Sequence, residues 1–191
     1  MSISGLILAA GESRRMGSPK ALLRYRGRTF LDTLISLFAV RCSPVIVVLG
    51  ANAEEIRGAV AGDAVFVFNP DYLSGQTSSM QCGLRAIPAD AEGVLFTLAD
   101  HPAVAASTID RLLAEPRPLI RVPRFEERRG HPVWFSRPLL AEFLALPMDG
   151  AARDVVYSHA AETEYLDLND AGIVADIDDP AAYRALIGAE A

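Results

Sequence analysis

Lysine is almost absent from this chain of 191 residues: of its 18 basic residues, 17 are arginines and the single lysine is Lys20. Cysteine is also scarce. Cys42 and Cys82 stand far apart and form no C-x-x-C pair, which excludes a zinc or dithiol redox motif and is typical of a reducing, cytoplasmic setting. Arginine is used wherever a generic cation would serve, so composition alone does not predict a lysine at position 20.

Long apolar runs and an excess of positive charge are missing too. No apolar stretch approaches the ~20 residues of a membrane-spanning helix. The first one, Ile3–Ala10, has no basic leader, so we expect neither a membrane span nor a signal peptide. The net charge of −6 argues against nucleic acid as a partner. A composition of 51% hydrophobic and 22% charged residues, with no linker and no repeat, predicts one globular domain over residues 1–191.

Short apolar runs alternate with helical patterns along the chain. The runs are continuous, as in strands buried on both faces of a parallel sheet. They cover Ile3–Ala9, Val45–Leu49, Val65–Phe68, Val94–Leu98 and, more weakly, Leu119–Val122 and Val133–Phe135. Amphipathic stripes and capping residues predict helices over Phe30–Val40, Asn52–Val60, Ser78–Ala86 and Thr108–Ala114. This order predicts an α/β fold, a single doubly wound, mostly parallel, Rossmann-like sheet with helices on both faces. Arg121–Arg129, with four arginines and two glutamates, is predicted to be a solvated loop or lid.

The first predicted strand runs into a glycine-containing loop that ends at Lys20. Small residues at 9–11 let backbone amides approach a ligand closely, and successive amides can form an anion-binding nest. Arg15 and Lys20 add full positive charge, and the compact ammonium of Lys20 suits triphosphate oxygens. Neither G-x-G-x-x-G nor G-K-[ST] is present, so the loop is neither a dinucleotide fingerprint nor a Walker loop. An ordinary turn with solvated arginines is the alternative.

The whole loop resembles the signature L-A-A-G-x-S-x-R-M-G-x-x-K of the molybdenum cofactor nucleotidyltransferases, whose fold is similar to that of the GT-A-type glycosyltransferases. Nine positions match in register: Leu8, Ala9, Ala10, Gly11, Ser13, Arg15, Met16, Gly17 and Lys20. The resemblance implies that the loop wraps a nucleoside triphosphate, with Arg15 and Lys20 on its phosphates. At Ala10 the cytidylyltransferase branch of that family has alanine and the guanylyltransferase branch has glycine, which favours CTP over GTP.

Asp100 follows the predicted strand Val94–Leu98 and is the first candidate metal ligand. An acid at the carboxyl end of such a strand faces the same crevice as the first loop, and Mg²⁺ prefers one or two carboxylates together with phosphate oxygens. Capping of the following helix is the alternative role. The segment resembles the family's L-x-D-x-P element, which implies that Asp100 binds the metal. His101 stands where the family often has glutamine, and we expect a structural histidine or a donor beside the metal.

The second acidic segment, Asp176–Pro180, opens a predicted terminal helix. Acids at a helix start are favourable without any function, but three acids in four positions repel one another unless a cation joins them. The segment resembles the family's D-I-D-T-P-x-D element, with Asp179 in the place of the threonine. The resemblance implies Asp178 as the second metal ligand, with Asp176 as the alternative.

The segment Gly75–Leu84 resembles the family pattern G-x-x-S-S-x-x-x-G-L, which lies near the nucleobase pocket. The resemblance implies that Ser78, Ser79 and Gly83 bind the nucleotide. Capping of the predicted helix by Ser78 or Ser79 is an equally open interpretation.

Two later segments resemble the acceptor side of the family. Gly130–Pro132 resembles G-[HN]-P, and His131 is expected to touch a phosphate or the pterin, or else to be a satisfied turn residue. Residues 148–153 partly resemble G-D-x-G-A-R, which implies Asp149 and Arg153 as acceptor contacts. Met148 and Ala151 replace the two glycines of that element, so the turn and the recognition of the acceptor are expected to be altered.

The resemblance covers nearly the whole chain and implies a Mg²⁺-dependent transfer of CMP from CTP to molybdopterin, whose product serves a molybdoenzyme client. Asp100 and Asp178 would hold the metal, while Lys20 and Arg15 would neutralise the departing pyrophosphate. The attacking phosphate oxygen is already an anion, so positioning and charge stabilisation suffice without a general base. Two alternatives stay open. One keeps the chemistry with GTP, or with a sugar-phosphate or isoprenoid-phosphate acceptor; the other is a chaperone that binds the cofactor without turnover.

Overall fold

The computed structural model describes residues 2–188, which form a central sheet flanked by helices, and a separate short hairpin. The strands are β1 (Ser2–Ala9), β2 (Arg24–Tyr25), β3 (Arg28–Thr29), β4 (Val45–Leu49), β5 (Val65–Phe68), β6 (Ala91–Leu98), β7 (Ile120–Phe125), β8 (Arg128–Arg129), β9 (Val133–Ser136) and β10 (Thr163–Asp167). The helices are α1 (Phe30–Ala39), α2 (Ala53–Ala59), α3 (Gln76–Leu84), α4 (Ala106–Leu112), α5 (Leu140–Ala145), α6 (Ala152–Ser158) and α7 (Pro180–Gly188). None of the helices in this range is long and apolar enough to cross a membrane.

The strand order of the central sheet is β10-β7-β9-β6-β1-β4-β5, and β8 pairs with β7 beside this path. β1 runs parallel to both of its neighbours, with Leu8 opposite Leu98 of β6 and opposite Val48 of β4. β9 is antiparallel to β6 and β7, and β10 is again parallel to β7. The mostly parallel α/β sheet is confirmed. Because β1 and β6 are parallel neighbours, the loops that follow them meet at one edge of the sheet, where ligands bind in such folds.

Two hydrophobic cores cover the two faces of the sheet. Ile7 of β1 belongs to the core that includes α1, α2 and α4, whereas Leu6 and Leu8 belong to the core that includes α3, α5 and α6. Residues along a strand alternate between faces. A strand with a core on each side therefore carries apolar residues on both of its faces, which explains the continuous apolar positions in the second half of β1.

The prediction of a solvated loop or lid over Arg121–Arg129 is wrong. β7 continues through this segment to Phe125 and pairs with β8. Arg121 is buried. Its guanidinium donates to backbone carbonyls of residues 111–116 and to Glu164 of β10, which offsets the cost of burying its charge. A window that is rich in charge thus contains an arginine that joins two strands and a helix end.

Candidate active site

The loop after β1 forms one wall of a cavity of about 240 Å³, which we call the first cleft. Its lining includes Leu8, Ala9, Ala10, Gly11, Ser13, Lys20, Tyr72, Gly75, Gln76, Ser79, Leu98 and Asp100. Six of the nine signature positions line it, and four of these six, at residues 9, 10, 11 and 13, have small side chains or none. No described atom lies within 4 Å of the point where a Cβ on Gly11 would be, which leaves the approach to the backbone open.

Ser13 fixes the path of this loop. Its backbone is left-handed, with φ 52°, and its carbonyl accepts from the N–H groups of Met16 and Gly17. Its hydroxyl accepts from the backbone N–H of Lys20 at 3.0 Å. Gly17 has φ 75°, a conformation that favours glycine. These bonds fold the loop back on itself and hold the start of the Lys20 side chain at the mouth of the first cleft.

Lys20 bonds two carboxylates from distant parts of the chain. Its Nζ lies 2.7 Å from Asp100 Oδ2 and 2.5 Å from Asp178 Oδ1, and its side chain is 18% exposed. Arg15 donates from Nη2 to the other oxygen of Asp178, Oδ2, at 2.6 Å. The pKa of Lys20 is raised because Asp100 and Asp178 outweigh the opposing effect of burial. The structure therefore brings together the four charged residues that the sequence singled out for phosphates and metal.

A backbone hydrogen bond holds the second acidic segment against the first. Ile177 donates its N–H to the carbonyl of Asp100 at 3.1 Å, and its side chain is buried near Tyr25 and Phe30. Asp100 itself follows β6 directly. The alternative role for Asp100, capping of the next helix, is wrong because α4 begins at Ala106 with Ala105 as its N-cap residue.

Asp100, Asp176 and Asp178, which we call the carboxylate cluster, offer three oxygens that lie within 4.8 Å of one another. Asp100 Oδ1 is buried and has no hydrogen-bond partner among the described residues. Burial, together with the charges of Asp100 and Asp178, raises the pKa of Asp176 to about 6, whereas the hydrogen bond from Lys20 lowers the pKa of Asp178. An all-oxygen set with excess negative charge fits a hard divalent cation such as Mg²⁺.

The predicted nucleotide residues of α3 separate into different roles. Ser79 lines the first cleft, but Ser78 does not. Neither serine is the N-cap residue, because α3 begins at Gln76 after Gly75. Both hydroxyls accept from Asn69 Nδ2 at 3.0 Å, and the Ser78 hydroxyl also bonds the Gly75 carbonyl. These buried bonds brace the start of α3.

Gly83 faces the sheet rather than either cleft. A Cβ at this position would lie 2.4 Å from Leu6 Cδ1 and 2.7 Å from Val48 Cγ2. Gly83 therefore lets α3 pack closely on β1 and β4, which corrects its expected place among the nucleotide-binding residues.

A second cavity of about 580 Å³, the second cleft, adjoins the first and shares Gly75, Gln76 and Leu98 with it. Its walls are mainly apolar, from Met80, Phe96, Val122, Phe135, Phe143 and Val156, and its lining includes Arg129, His131, Arg153 and Tyr157. Arg153 makes no ion pair within residues 2–188, so its charge is available to a ligand. Asp149 is exposed and does not line this cleft, so only Arg153 of the two predicted acceptor contacts is in position.

His131 and His101 lie between the carboxylate cluster and the second cleft. Their ring centroids are 5.0 Å apart, and the His131 ring also packs edge-on against Phe96 at 5.6 Å. Burial lowers the pKa of both imidazoles, that of His131 to about 4. Both rings are therefore neutral at pH 7 and supply no positive charge to a phosphate. His101 Nε2 is 3.7 Å from Asp100 Oδ1, too long for a hydrogen bond, which fits the expected structural role.

Sequence reasoning missed Gln76 and Arg129. Gln76 lines both clefts and makes no side-chain hydrogen bond within the described range, and Arg129 lies over the rings of Tyr157 and Tyr165 at the second cleft. Each is adjacent in sequence to a glycine of a motif, Gly75 or Gly130. Nothing in their own spacing marks them, because the junction of the clefts exists only in the folded chain.

Comparisons with known proteins agree with this geometry. Residues 5–163 match the family model described as "MobA-like NTP transferase domain". The chain is 32% identical to nicotine blue oxidoreductase of Paenarthrobacter nicotinovorans, over 92% of each chain. It is 28% identical to molybdenum cofactor cytidylyltransferase of Escherichia coli K12, over 94% of this chain and 92% of the relative.

Among solved structures, Rv0371c from Mycobacterium tuberculosis H37Rv is 32% identical and superposes with a TM-score of 0.84, covering 98% of both chains. The complex of Rv0371c with manganese has a TM-score of 0.80 at 30% identity, over 98% of this chain and 99% of that one. The matched family region includes the first loop and Asp100, and the likeness in structure extends over almost the whole chain. The chain therefore belongs to the MobA-like NTP transferase family and is a nucleotidyltransferase.

Proposed function

We propose that this nucleotidyltransferase transfers CMP from CTP to the phosphate of a molybdopterin acceptor and releases pyrophosphate. The observation that carries the proposal is the meeting of Lys20, Arg15 and the carboxylate cluster at the mouth of a cleft that opens directly into a second cleft. One cavity for the donor and an adjoining one for the acceptor is the arrangement that a group transfer between two bound molecules requires.

The carboxylate cluster is the proposed site of a divalent cation, Mg²⁺, with Asp100 and either Asp178 or Asp176 as ligands. A cation held there would neutralise charge on the triphosphate and on the phosphoryl group under attack. The donor set is entirely oxygen. The manganese complex of the mycobacterial relative supports the use of a divalent cation. We expect Asp100 to be the ligand common to both choices.

The residues of the chain supply positioning and charge. Backbone amides of residues 9–11 approach the triphosphate, while Lys20 and Arg15 stabilise the negative charge that develops on the departing pyrophosphate. The acceptor phosphate attacks as an anion, so no proton has to be removed. This agrees with the lowered pKa values of His131 and His101, which leave both rings neutral beside the path between the clefts.

The second cleft is the proposed acceptor site. Its apolar walls suit a flat heterocycle, and Arg153 and Arg129 suit the anionic groups of the acceptor. The choice of CTP rests on Ala10, which lines the first cleft, and on the resemblance of the loop to the cytidylyltransferase branch. The choice of molybdopterin is supported by the name of the Escherichia coli relative.

Thermal unfolding with CTP, GTP, UTP and ATP, each with and without Mg²⁺, tests the donor. A ligand at 100 times its Kd stabilises the folded protein by about 2.7 kcal/mol, which a melting curve resolves. We expect a Mg²⁺-dependent rise with CTP that is lost in Asp100→Asn. A rise with GTP alone would overturn the assignment of Ala10 and leave the transfer chemistry in place. Pyrophosphate release on addition of molybdopterin then tests the acceptor.

A redox function is the second candidate, because a relative at 32% identity is named an oxidoreductase and the walls of the second cleft are largely apolar. Oxidation of NADH or NADPH by a flat quinonoid dye, catalysed equally well by wild type and by Lys20→Ala, would favour this candidate. No dinucleotide fingerprint follows β1, so we expect no such activity.

A further inference from the structure

Lys20 is bonded to the same two carboxylates that the proposed cation site uses. Its ammonium touches Asp100 Oδ2 and Asp178 Oδ1, and Arg15 engages the remaining oxygen of Asp178. Both oxygens of Asp178 are therefore already paired with cations of the chain itself. Lys20 is also the only lysine of the sequence.

We propose that Lys20 is a built-in counter-cation of the carboxylate cluster, which leaves its place between Asp100 and Asp178 when a divalent cation binds and then pairs with the nucleotide phosphates. This inference rests on the proposed function, because it takes the cluster as the cation site and the first cleft as the nucleotide site. It adds that the lysine and the divalent cation compete for the same oxygens.

The distances make simultaneous occupancy unfavourable. Nζ of Lys20 lies 2.5 Å from Asp178 Oδ1 and 2.7 Å from Asp100 Oδ2, and Mg²⁺ requires about 2.1 Å to its oxygen ligands. A divalent cation on these oxygens would lie within van der Waals range of the ammonium, in a site where both aspartate side chains are less than one-third exposed. Like charges at such a separation in partly buried surroundings repel strongly.

The side chain of Lys20 can turn into the first cleft without movement of its backbone. The backbone N–H is fixed by the Ser13 hydroxyl, and residues 20–22 form a 3₁₀ turn. The side chain also lines the first cleft, beside the amides of residues 9–11 that face the proposed phosphates. Rotation about its flexible stem alone would carry the ammonium from the carboxylates to the phosphates.

Competition of this kind links the two ligands. Nucleotide phosphates that draw Lys20 away should increase the affinity for the divalent cation, and by reciprocity the cation should increase the affinity for nucleotide. In the absence of nucleotide, Lys20 should instead weaken cation binding. Removal of Lys20 is therefore expected to lower turnover and yet to tighten the binding of the cation alone.

The experiment measures Mn²⁺ binding without nucleotide, by the loss of the free-Mn²⁺ electron paramagnetic resonance signal. The proteins are wild type, Lys20→Gln, Lys20→Arg and the control Arg14→Gln, which removes one positive charge from the same loop. Arg14 is exposed and pairs with Glu12 rather than with the carboxylate cluster. We expect the Kd of Lys20→Gln to fall at least tenfold, and those of Lys20→Arg and Arg14→Gln to stay within about threefold of wild type.

Two results would overturn the inference, and only the second would also exclude the proposed cation site. Equal Mn²⁺ affinities for wild type and Lys20→Gln would show no competition, while leaving the proposed cation site intact. No binding of Mn²⁺ by either protein, at any concentration up to several millimolar, would remove the cation site and the inference together. Circular dichroism checks that each variant is folded, and a larger Mn²⁺-induced rise in Tm for Lys20→Gln than for wild type is the independent second readout.

Discussion

Lys20 and Arg15 are both cations, but they contact the carboxylate cluster in different ways. The ammonium of Lys20 is a compact point charge that bonds one oxygen on each of two aspartates. The planar guanidinium of Arg15 bonds the outer oxygen of Asp178 and remains 72% exposed. A planar fork suits the two oxygens of one carboxylate better than single oxygens of two. This difference accounts for a lysine at one position of a chain that otherwise uses arginine.

Lys20→Ala should reduce turnover by at least ~10²-fold, because one stabiliser of the developing charge on pyrophosphate is lost. Initial rates of pyrophosphate release with CTP and acceptor measure the effect. Arg14→Ala is the matched control, since Arg14 lies in the same loop but contacts only Glu12 among the ion pairs of the described chain. Turnover of Lys20→Ala close to that of wild type would remove Lys20 from the mechanism.

His131 should make the protein less stable in mild acid. Burial lowers its pKa to about 4 from the ordinary 6.5, so between these values the unfolded chain binds a proton that the folded protein does not. The contribution of neutral His131 is thus complete above pH 6.5 and is lost as the pH falls towards 4. Between pH 7 and pH 5 the loss is about 2 kcal/mol of unfolding free energy.

Urea unfolding of wild type and His131→Asn at pH 7 and pH 5 measures this loss. Asparagine cannot titrate, so the variant should lose about 2 kcal/mol less than wild type between the two pH values. Identical losses in the two proteins would mean that His131 does not titrate differently on folding.

Helix α3 packs closely on the sheet because Gly83 has no side chain. Gly83→Ala should destabilise the protein by roughly 1–3 kcal/mol, because the new Cβ would meet the fully buried Leu6 at 2.4 Å. Gly58→Ala on α2 is the matched control, since no described atom lies within 4 Å of its Cβ position. The control should stabilise by about 0.5–1 kcal/mol through helix propensity. Equal effects of the two substitutions on the urea midpoint would contradict the packing role of Gly83.

Two arginine–acid pairs join strands β7 and β10, and we expect them to contribute differently to the free energy of unfolding. Arg121 is buried and bonds Glu164 together with carbonyls of residues 111–116, whereas Arg124 pairs with Asp167 at the surface. Arg121→Ala leaves several carbonyls without a donor and should cost roughly 3 kcal/mol of unfolding free energy. Arg124→Ala should leave the urea midpoint unchanged, because exposed pairs contribute little. A midpoint for Arg121→Ala equal to that of wild type would show that the buried arginine is dispensable.

At the scale of the whole molecule, the first half of the fold was predictable and much of the second half was not. β1, β4 and α1 carry their pattern locally, since continuous apolar runs and an amphipathic stripe suffice to identify them. β10 escaped prediction because Thr163–Asp167 is an edge strand with partly exposed, partly charged residues. The burial of Arg121 was not predictable because its hydrogen-bond partners lie on other elements, outside any local stretch of sequence.

The candidate site divides in the same way. A dense motif marks the first loop and a shorter element marks Asp100, and Asp100 lines the same cleft as six of the nine loop positions. The second cleft has no motif, because its walls come from separate strands and helices. Asp149 was expected beside Arg153 but lies outside that cleft. Its resemblance to the family was partial, and the two glycines that would shape the turn are absent.

The order in which a ribosome makes this chain has a consequence for the carboxylate cluster. Lys20 and Asp100 are synthesised first. Asp176 and Asp178 follow Asp100 by 76 and 78 residues, and the Ile177–Asp100 backbone bond holds them at the cluster. A nascent chain that has folded its first strands therefore holds one aspartate balanced by one lysine. The excess negative charge of the cluster arises only when the late segment docks. If the cluster is the cation site proposed above, the full set of its carboxylates would therefore be present only after the last part of the chain has been made.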